Sequence, residues 1–242
     1  MTPLLKAELL KLRTTRTFAA LAGSAFALSL LVVVLTAALA NNMDKSDVRE
    51  MFYGDFTGLF IVLLGVMGMA GEWRHRTITS TILAAPDRTR LLGAKLIAYA
   101  VAGVVISLVI TVVIMAVGTA ILSSRDVPTL GIADLADVLW RNLAVAGFLG
   151  AFGVCVGGLV RNQVVAIVGV LVLIFVVERV LLGLVSEVGQ YAPTVGAPND
   201  LQGNSFGADD ALRPGVALLV MGAWIAALAA AAAALLRRRD LV

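Results

Sequence analysis

Few residues in this chain could carry out covalent or acid–base chemistry. The 242 residues include one histidine, His75, and one cysteine, Cys155. The stretch "GNSFG" at 203–207 matches the G-x-S-x-G nucleophile elbow, which needs a preceding strand and a histidine within reach of the serine. We predict an external loop with no strand there, and we place His75 on the opposite side of a membrane. The pattern therefore does not predict a serine hydrolase.

The sequence also lacks the usual motifs for metal or nucleotide chemistry. No H-E-x-x-H zinc motif occurs, and "LLGAKL" at 91–96 lacks the first glycine and the hydroxyl residue of a P-loop. A lone cysteine within an apolar stretch is typical of a small packing residue and provides no disulfide framework. We therefore expect no catalytic residue, no bound metal or cofactor, and no ATP hydrolysis by this chain itself.

Glu178 and Arg179 interrupt an apolar stretch and are candidates for a substrate-binding or gating role. The preceding run 164–177 covers about 21 Å as a helix, less than the bilayer core of about 30 Å. Neighbouring helical positions do not face each other, so each group needs its own partner. Ionisable groups at such depth often have a function. Anchoring at the outer interface is the alternative, and either one long helix or a re-entrant segment fits.

The composition predicts an all-α integral membrane protein. Hydrophobic residues make up 60% of the chain and charged residues 14%, well below the quarter typical of soluble domains. We interpret residues 1–242 as a single transmembrane domain. The segment 1–16 is predicted to be an amphipathic interface helix, or alternatively a basic flank of the first span. Six runs are long enough to span a bilayer: 18–40, 53–71, 96–122, 139–160, 164–185 and 216–236.

The distribution of positive charge predicts the orientation. With six spans, 13 of the 19 lysines and arginines lie on the side that holds both termini. Because cytoplasmic loops carry the excess of positive charge, we expect both termini in the cytoplasm and the protein in the cell membrane. This topology accounts for the net charge of +3 without a nucleic-acid partner.

The cytoplasmic loop 72–90 is long, basic and patterned. It lies within "GEWRHRTITSTILAAPDRTRLLGAK" at 71–95, in which Trp73 is a typical interface anchor. Ile78, Ile82 and Leu83 fall on one face of a short predicted helix that Pro86 ends. Lys95 is expected to extend its amine to the membrane surface at the entry of the third span. Connections of this length are usually functional, so we predict a short helix that offers apolar side chains to a soluble partner.

This loop resembles that of ABC-2 type permeases, the membrane subunits of ATP-driven exporters. In that family a glutamate after the second span precedes a basic stretch with Gly-Thr, a short helix, a proline, basic residues and a lysine that opens the third span. The matching positions here are Glu72, Arg76 with Thr77, 78–83, Pro86, Arg88 with Arg90, and Lys95. Arg76 stands where many relatives carry glycine. The turn "GGLVRNQVVA", the amphipathic N-terminus and the interruption after Val177 extend the resemblance over nearly the whole chain.

The resemblance implies a cytoplasmic coupling helix that docks into an ATP-binding subunit, which carries the ATP and magnesium. The residues that the resemblance assigns to docking with this subunit are Glu72, Arg74, Arg76, Thr77, Ile78, Ile82, Leu83, Arg88 and Arg90. It also implies re-entrant helices between spans five and six, a second permease chain, identical or not, and two ATP-binding subunits.

Few charged residues lie within the spans, and only 6% of the chain is aromatic. These features favour a drug-like or amphiphilic cargo, such as an antibiotic, lipid or peptide, over a polysaccharide. The composition is typical of a bacterial protein. An ion-coupled transporter or channel is the alternative, although such proteins usually place several ionisable groups at mid-membrane. An intramembrane enzyme is disfavoured because paired catalytic residues are lacking.

Overall fold

A computed structural model describes residues 2–39, 43–74, 87–125, 127–160, 162–203 and 211–238. Regular structure in these ranges is entirely helical, which confirms the all-α prediction. A π-helical turn, Leu173–Val177, joins α7 to α8. The helices are α1 (Thr2–Thr14), α2 (Arg16–Leu39), α3 (Lys45–Tyr53), α4 (Thr57–Arg74), α5 (Arg88–Ser123), α6 (Ile132–Leu159), α7 (Gln163–Val172), α8 (Glu178–Leu184), α9 (Ser186–Gly189), α10 (Gly196–Gln202) and α11 (Pro214–Arg238).

Within the described ranges, six helical segments are long and apolar enough to cross a membrane. They are Arg16–Leu39, Lys45–Arg74, Arg88–Ser123, Ile132–Leu159, Gln163–Leu184 and Pro214–Leu236. The prediction of an all-α integral membrane protein with six spans is therefore confirmed.

Helix α6 forms the centre of the bundle, packed between α4 and α5. Glycines allow the backbones to approach closely: a Cβ added at Gly153 would lie 2.3 Å from the carbonyl oxygen of Val62, and one at Gly65 would lie 2.5 Å from that of Gly150. Small residues are used in this way in membrane proteins, where helices associate through packing rather than through exclusion of water. The glycines of the fourth span thus fix the contact between α4 and α6.

The remaining spans lie at the periphery. Only 17% of the most apolar window is buried in the first, fifth and sixth spans, against 72% in the fourth. Helix α2 packs on the bundle through a stripe of small residues at intervals of four: Ala25, Ser29, Val33 and Ala37. The outward faces of these three spans are therefore apolar surfaces suited to lipid or to another membrane chain.

Side-chain caps explain where several helices begin. Asp87 accepts hydrogen bonds from the backbone N–H groups of Thr89 and Arg90, so α5 starts at Arg88, eight residues before the apolar run that begins at 96. The hydroxyl of Thr89 also donates to Asp87, and these bonds lower the pKa of Asp87. Asn162 caps α7 in the same manner.

The fifth span remains helical through Glu178 and Arg179. Its path runs through α7, the π-helical turn and α8 to Leu184. Val185 leaves the helical conformation, with φ −142° and ψ 71°, and the short helices α9 and α10 follow. The sequence allowed either one helix through Glu178 and Arg179 or a break before them, and the structure shows one helical segment. Insertion of α9 and α10 into the bilayer stays a prediction.

Candidate functional site

Four charged side chains meet at the end of the bundle where α4 ends and α5 begins. Lys95 is completely buried, and its Nζ donates to Oε2 of Glu8 and to Oε1 of Glu72, both at 2.8 Å. Lys11 Nζ donates to the same Glu72 oxygen at 2.6 Å. We call Glu8, Lys11, Glu72 and Lys95 the charge cluster. It links three helices, α1, α4 and α5.

The charge cluster is electrically balanced, with two lysines against two glutamates. Glu8 and Glu72 are almost fully buried, at 5% and 3% exposure. Buried ions are tolerated when paired, and removal of one partner leaves an uncompensated charge. Glu8 and Lys11 lie three residues apart on α1 and therefore share a face, beside the buried Leu12. The helix predicted at the interface is thus held to the bundle by its charged residues as well as by its leucines.

The position of Lys95 corrects one prediction. We expected its amine to reach the membrane surface, but it points into the protein because Glu8 and Glu72 provide two carboxylate acceptors there. Sequence analysis also missed Glu8, to which it assigned no role. One signal was available in the sequence. Glu8, Lys11 and Glu72 carry opposite charges and lie next to apolar segments, at ends that the predicted topology places on the same side of the membrane.

The structure describes four of the predicted docking residues: Glu72, Arg74, Arg88 and Arg90. Glu72 is buried within the charge cluster, whereas Arg74 is exposed and its Nη1 lies 3.5 Å from Oε1 of Gln163. Arg88 Nη1 donates to the carbonyl oxygen of Leu236 at 2.5 Å, which joins α5 to α11. Arg90 is exposed and pairs with Asp87 at 3.0 Å.

The other predicted positions lie outside the described residues. These are His75, Arg76, Thr77, Ile78, Ile82, Leu83, Pro86 and residues 204–207 of the "GNSFG" motif. The coupling helix therefore stays a prediction. The structure fixes the two ends of the segment 75–86: Glu72 and Arg74 contact the bundle before it, and Arg88 contacts the bundle after it.

Glu178 and Arg179, adjacent in sequence, have different environments. Glu178 is 1% exposed and accepts hydrogen bonds from the N–H and hydroxyl of Thr194, at 3.0 Å and 2.6 Å, and from the N–H of Val195 at 2.5 Å. Its carboxylate thus holds the segment before α10 against α8. Arg179 instead lines a cavity of about 310 Å³ between α4, α6, the fifth span and α10. Their predicted substrate or gating role stays a prediction.

The cavity beside Arg179 is lined by both polar and apolar side chains. Asn142 lies on its wall, donates to the carbonyl oxygen of Phe52 at 3.1 Å and accepts from Gln202 at 2.9 Å. Phe175 of the π-helical turn and Asp55 also line it. Sequence analysis missed Asn142, although a single amide within an apolar run indicated a polar contact inside the bundle.

Comparison with known proteins identifies the family. A search of curated proteins finds no match. A family model described as "ABC-2 family transporter protein" matches residues 4–184, which cover most of α1 and the first five spans together with the charge cluster. The chain belongs to the ABC-2 family of membrane transport proteins.

Proposed function

We propose that this chain is the permease subunit of an ATP-driven exporter and that a separate ATP-binding subunit energises it. Membership of the ABC-2 family supports a role in membrane transport. The observation that carries the proposal is the charge cluster at the base of segment 75–86. It bonds Glu72, which precedes that segment, and Lys95, which follows it, to the same interface helix.

The charge cluster supports a mechanical role for segment 75–86. A partner that pushes on this segment moves the end of α4 and the start of α5 together, since Lys95 bonds both Glu72 and Glu8. Breaking a buried ion pair of this kind costs about 3–5 kcal/mol, so the three helices are expected to move as one unit. Because α4 and α5 both pack on α6, their displacement would change the central bundle.

In this proposal the docking surface is the apolar face of Ile78, Ile82 and Leu83. Thr77 and the arginines around the segment, Arg74, Arg76, Arg88 and Arg90, orient the partner electrostatically. Glu72 contributes by positioning, because its side chain is buried under α1. Two permease chains and two ATP-binding subunits form the complete transporter, and ATP and magnesium bind to those subunits.

We further propose an amphiphilic or drug-like cargo, such as an antibiotic, lipid or peptide. The cavity beside Arg179 supports this class, because its wall combines polar and apolar side chains. Arg179, Asn142 and Gln202 are polar, and Ile174 and Phe175 are apolar. The protein would reside in the bacterial cell membrane with both termini in the cytoplasm, as the excess of positive charge on that side predicts.

Co-purification tests the proposal. The tagged chain is purified in mild detergent from its native host beside an Ile82→Asp, Leu83→Asp variant, and accompanying proteins are identified by mass spectrometry. An Ile132→Asp variant is the matched control, since Ile132 is 89% exposed at the start of α6, at the opposite end of the bundle. We expect a P-loop ATPase with the wild type and the control, and its loss from the double variant.

Two outcomes would count against the proposal. A folded wild-type protein that brings no ATPase would favour the alternative of an ion-coupled transporter or channel, for which Glu178 would be tested next. An ATPase that stays bound to the double variant would place the docking surface elsewhere.

A further inference from the structure

A second cavity lies beside the charge cluster, at the other end of the bundle from Arg179. It has a volume of about 290 Å³ and is bordered by the junction of α1 and α2, by α4 and by the start of α7. Lys11, Thr17 and Gln163 provide polar groups, and Leu64 and Met67 provide apolar walls. A lining with charged groups on one side and aliphatic groups on the other suits an amphiphile.

Glu72 borders this cavity and has an unsatisfied oxygen. Its Oε1 accepts from both Lys11 and Lys95, whereas its Oε2 is buried without a hydrogen-bond partner among the described residues. Buried carboxylate oxygens without a donor are uncommon. Glu72 lines the cavity, and the terminal torsion of a glutamate is broad, so a ligand in the cavity can draw Oε2 toward itself by a rotation of the carboxylate. The cavity therefore offers an acceptor that a donor-bearing ligand could satisfy.

The cavity lies near the membrane surface by its position along the helices. Glu72 is two residues from the end of α4, and Lys95 lies seven residues into α5, roughly 10 Å from its start. The amphipathic helix α1 forms one side of the cavity, and the Lys11 side chain remains 45% exposed. A ligand at this depth meets the boundary between lipid headgroups and acyl chains.

We propose that this cavity binds the headgroup of a phospholipid with a primary amine, of the phosphatidylethanolamine class. The ammonium group donates to Glu72 Oε2, and the phosphate accepts from Lys11 and from the hydroxyl of Thr17. Lys11 has donors to spare, because an ammonium carries three and one is used for Glu72. The aliphatic walls at Leu64 and Met67 accommodate the start of an acyl chain.

Charge and hydrogen bonding select this headgroup over the other common ones. The charge cluster is neutral, so a zwitterion keeps the balance that an anionic headgroup would disturb. Phosphatidylcholine is also zwitterionic, but its quaternary ammonium has no N–H to donate to Glu72. The proposal does not depend on which partner or energy source drives the protein.

Gly71 provides a way to fill the cavity without substituting any residue of the charge cluster. It lines the cavity, and a Cβ added there meets no atom within 4 Å, so Gly71→Leu occupies the open space. Gly169 is the matched control: an added Cβ there also meets nothing within 4 Å, and it belongs to α7 away from this cavity. Both variants should elute from size exclusion as the wild type does.

Native mass spectrometry of the purified chain tests the proposal. Phosphatidylethanolamine and phosphatidylcholine with identical acyl chains are titrated separately, beside soluble glycerophosphoethanolamine. We expect the ethanolamine lipid to bind at about tenfold lower concentration than the choline lipid, as one charge-assisted hydrogen bond supplies. Gly71→Leu should abolish that preference and Gly169→Leu should keep it.

Three results would overturn the proposal. Equal binding of the two lipids would show that hydrogen bonding from the headgroup to Glu72 does not select the ligand. Undiminished preference in Gly71→Leu would place the lipid outside this cavity. If soluble glycerophosphoethanolamine bound as tightly as the lipid, the cavity would recognise the free headgroup compound and not a membrane lipid.

Discussion

Lys95 and Glu72 are 23 residues apart in the chain, and their side chains meet at 2.8 Å in the protein interior. The contact brackets the segment 75–86 between two helices that cannot separate without breaking a buried ion pair. Glu8 adds a third helix to the same lysine. The segment 75–86 is therefore flanked in the chain by two residues, Glu72 and Lys95, that bond each other.

Substitution of Lys95 tests how much the charge cluster contributes to the stability of the protein. Lys95→Met leaves Glu8 and Glu72 with less compensation, and we expect the free energy of unfolding to fall by about 3–5 kcal/mol. Thermal unfolding in detergent measures the effect. Lys45→Met is the control, since Lys45 is exposed at the start of α3. Equal melting temperatures for the two variants would contradict a structural role for the charge cluster.

The contact between α4 and α6 predicts a cost for added bulk. Gly153→Ala places a methyl group 2.3 Å from the Val62 carbonyl oxygen, so the two backbones must separate. We expect a loss of about 1–3 kcal/mol in stability. Gly169→Ala should be tolerated because an added Cβ there meets no atom within 4 Å. A Gly153→Ala protein as stable as Gly169→Ala would show that α4 and α6 are less tightly packed than described.

Glu178 and Arg179 should respond differently to substitution. Glu178→Ala removes the acceptor of the Thr194 and Val195 amides, and each hydrogen bond left unmade costs about 1–3 kcal/mol. Hydrogen exchange at these two amides should accelerate. Arg179→Gln should leave both amides protected, because their acceptor is the carboxylate of Glu178. Acceleration in both variants would mean that the two residues act together.

Sequence predicted the elements of this fold better than their contacts. Apolar runs of bilayer length identified six spans, because the bilayer constrains helix length and composition directly. The same logic failed at Lys95. Hydropathy describes how a lysine behaves toward lipid and water, and it does not include a pair of carboxylates brought from α1 and α4. Asn142 was missed for the same reason, since its partners Phe52 and Gln202 come from distant parts of the chain.

For the candidate site too, sequence predicted the family but not the contacts between distant residues. The family resemblance, carried by the loop from Glu72 to Lys95, agrees with the family match over 4–184. The pairing of Glu178 with the backbone at Thr194 depends on the turn at Val185 and the short helices that follow, for which no periodicity exists in the sequence.

The last prediction separates docking from transmission in the proposed exporter. Glu8→Gln keeps the shape of the side chain but weakens the link between α1 and Lys95, and Glu8 is buried. We expect this variant to retain the ATP-binding subunit on co-purification, whereas Ile82→Asp with Leu83→Asp loses it. The rate of ATP hydrolysis by the purified Glu8→Gln complex should approach that of the isolated ATP-binding subunit, because the permease no longer transmits its state through the charge cluster. A Glu8→Gln complex that hydrolyses ATP as the wild-type complex does would assign transmission to another contact, and Arg88 with Leu236 would be the next to test.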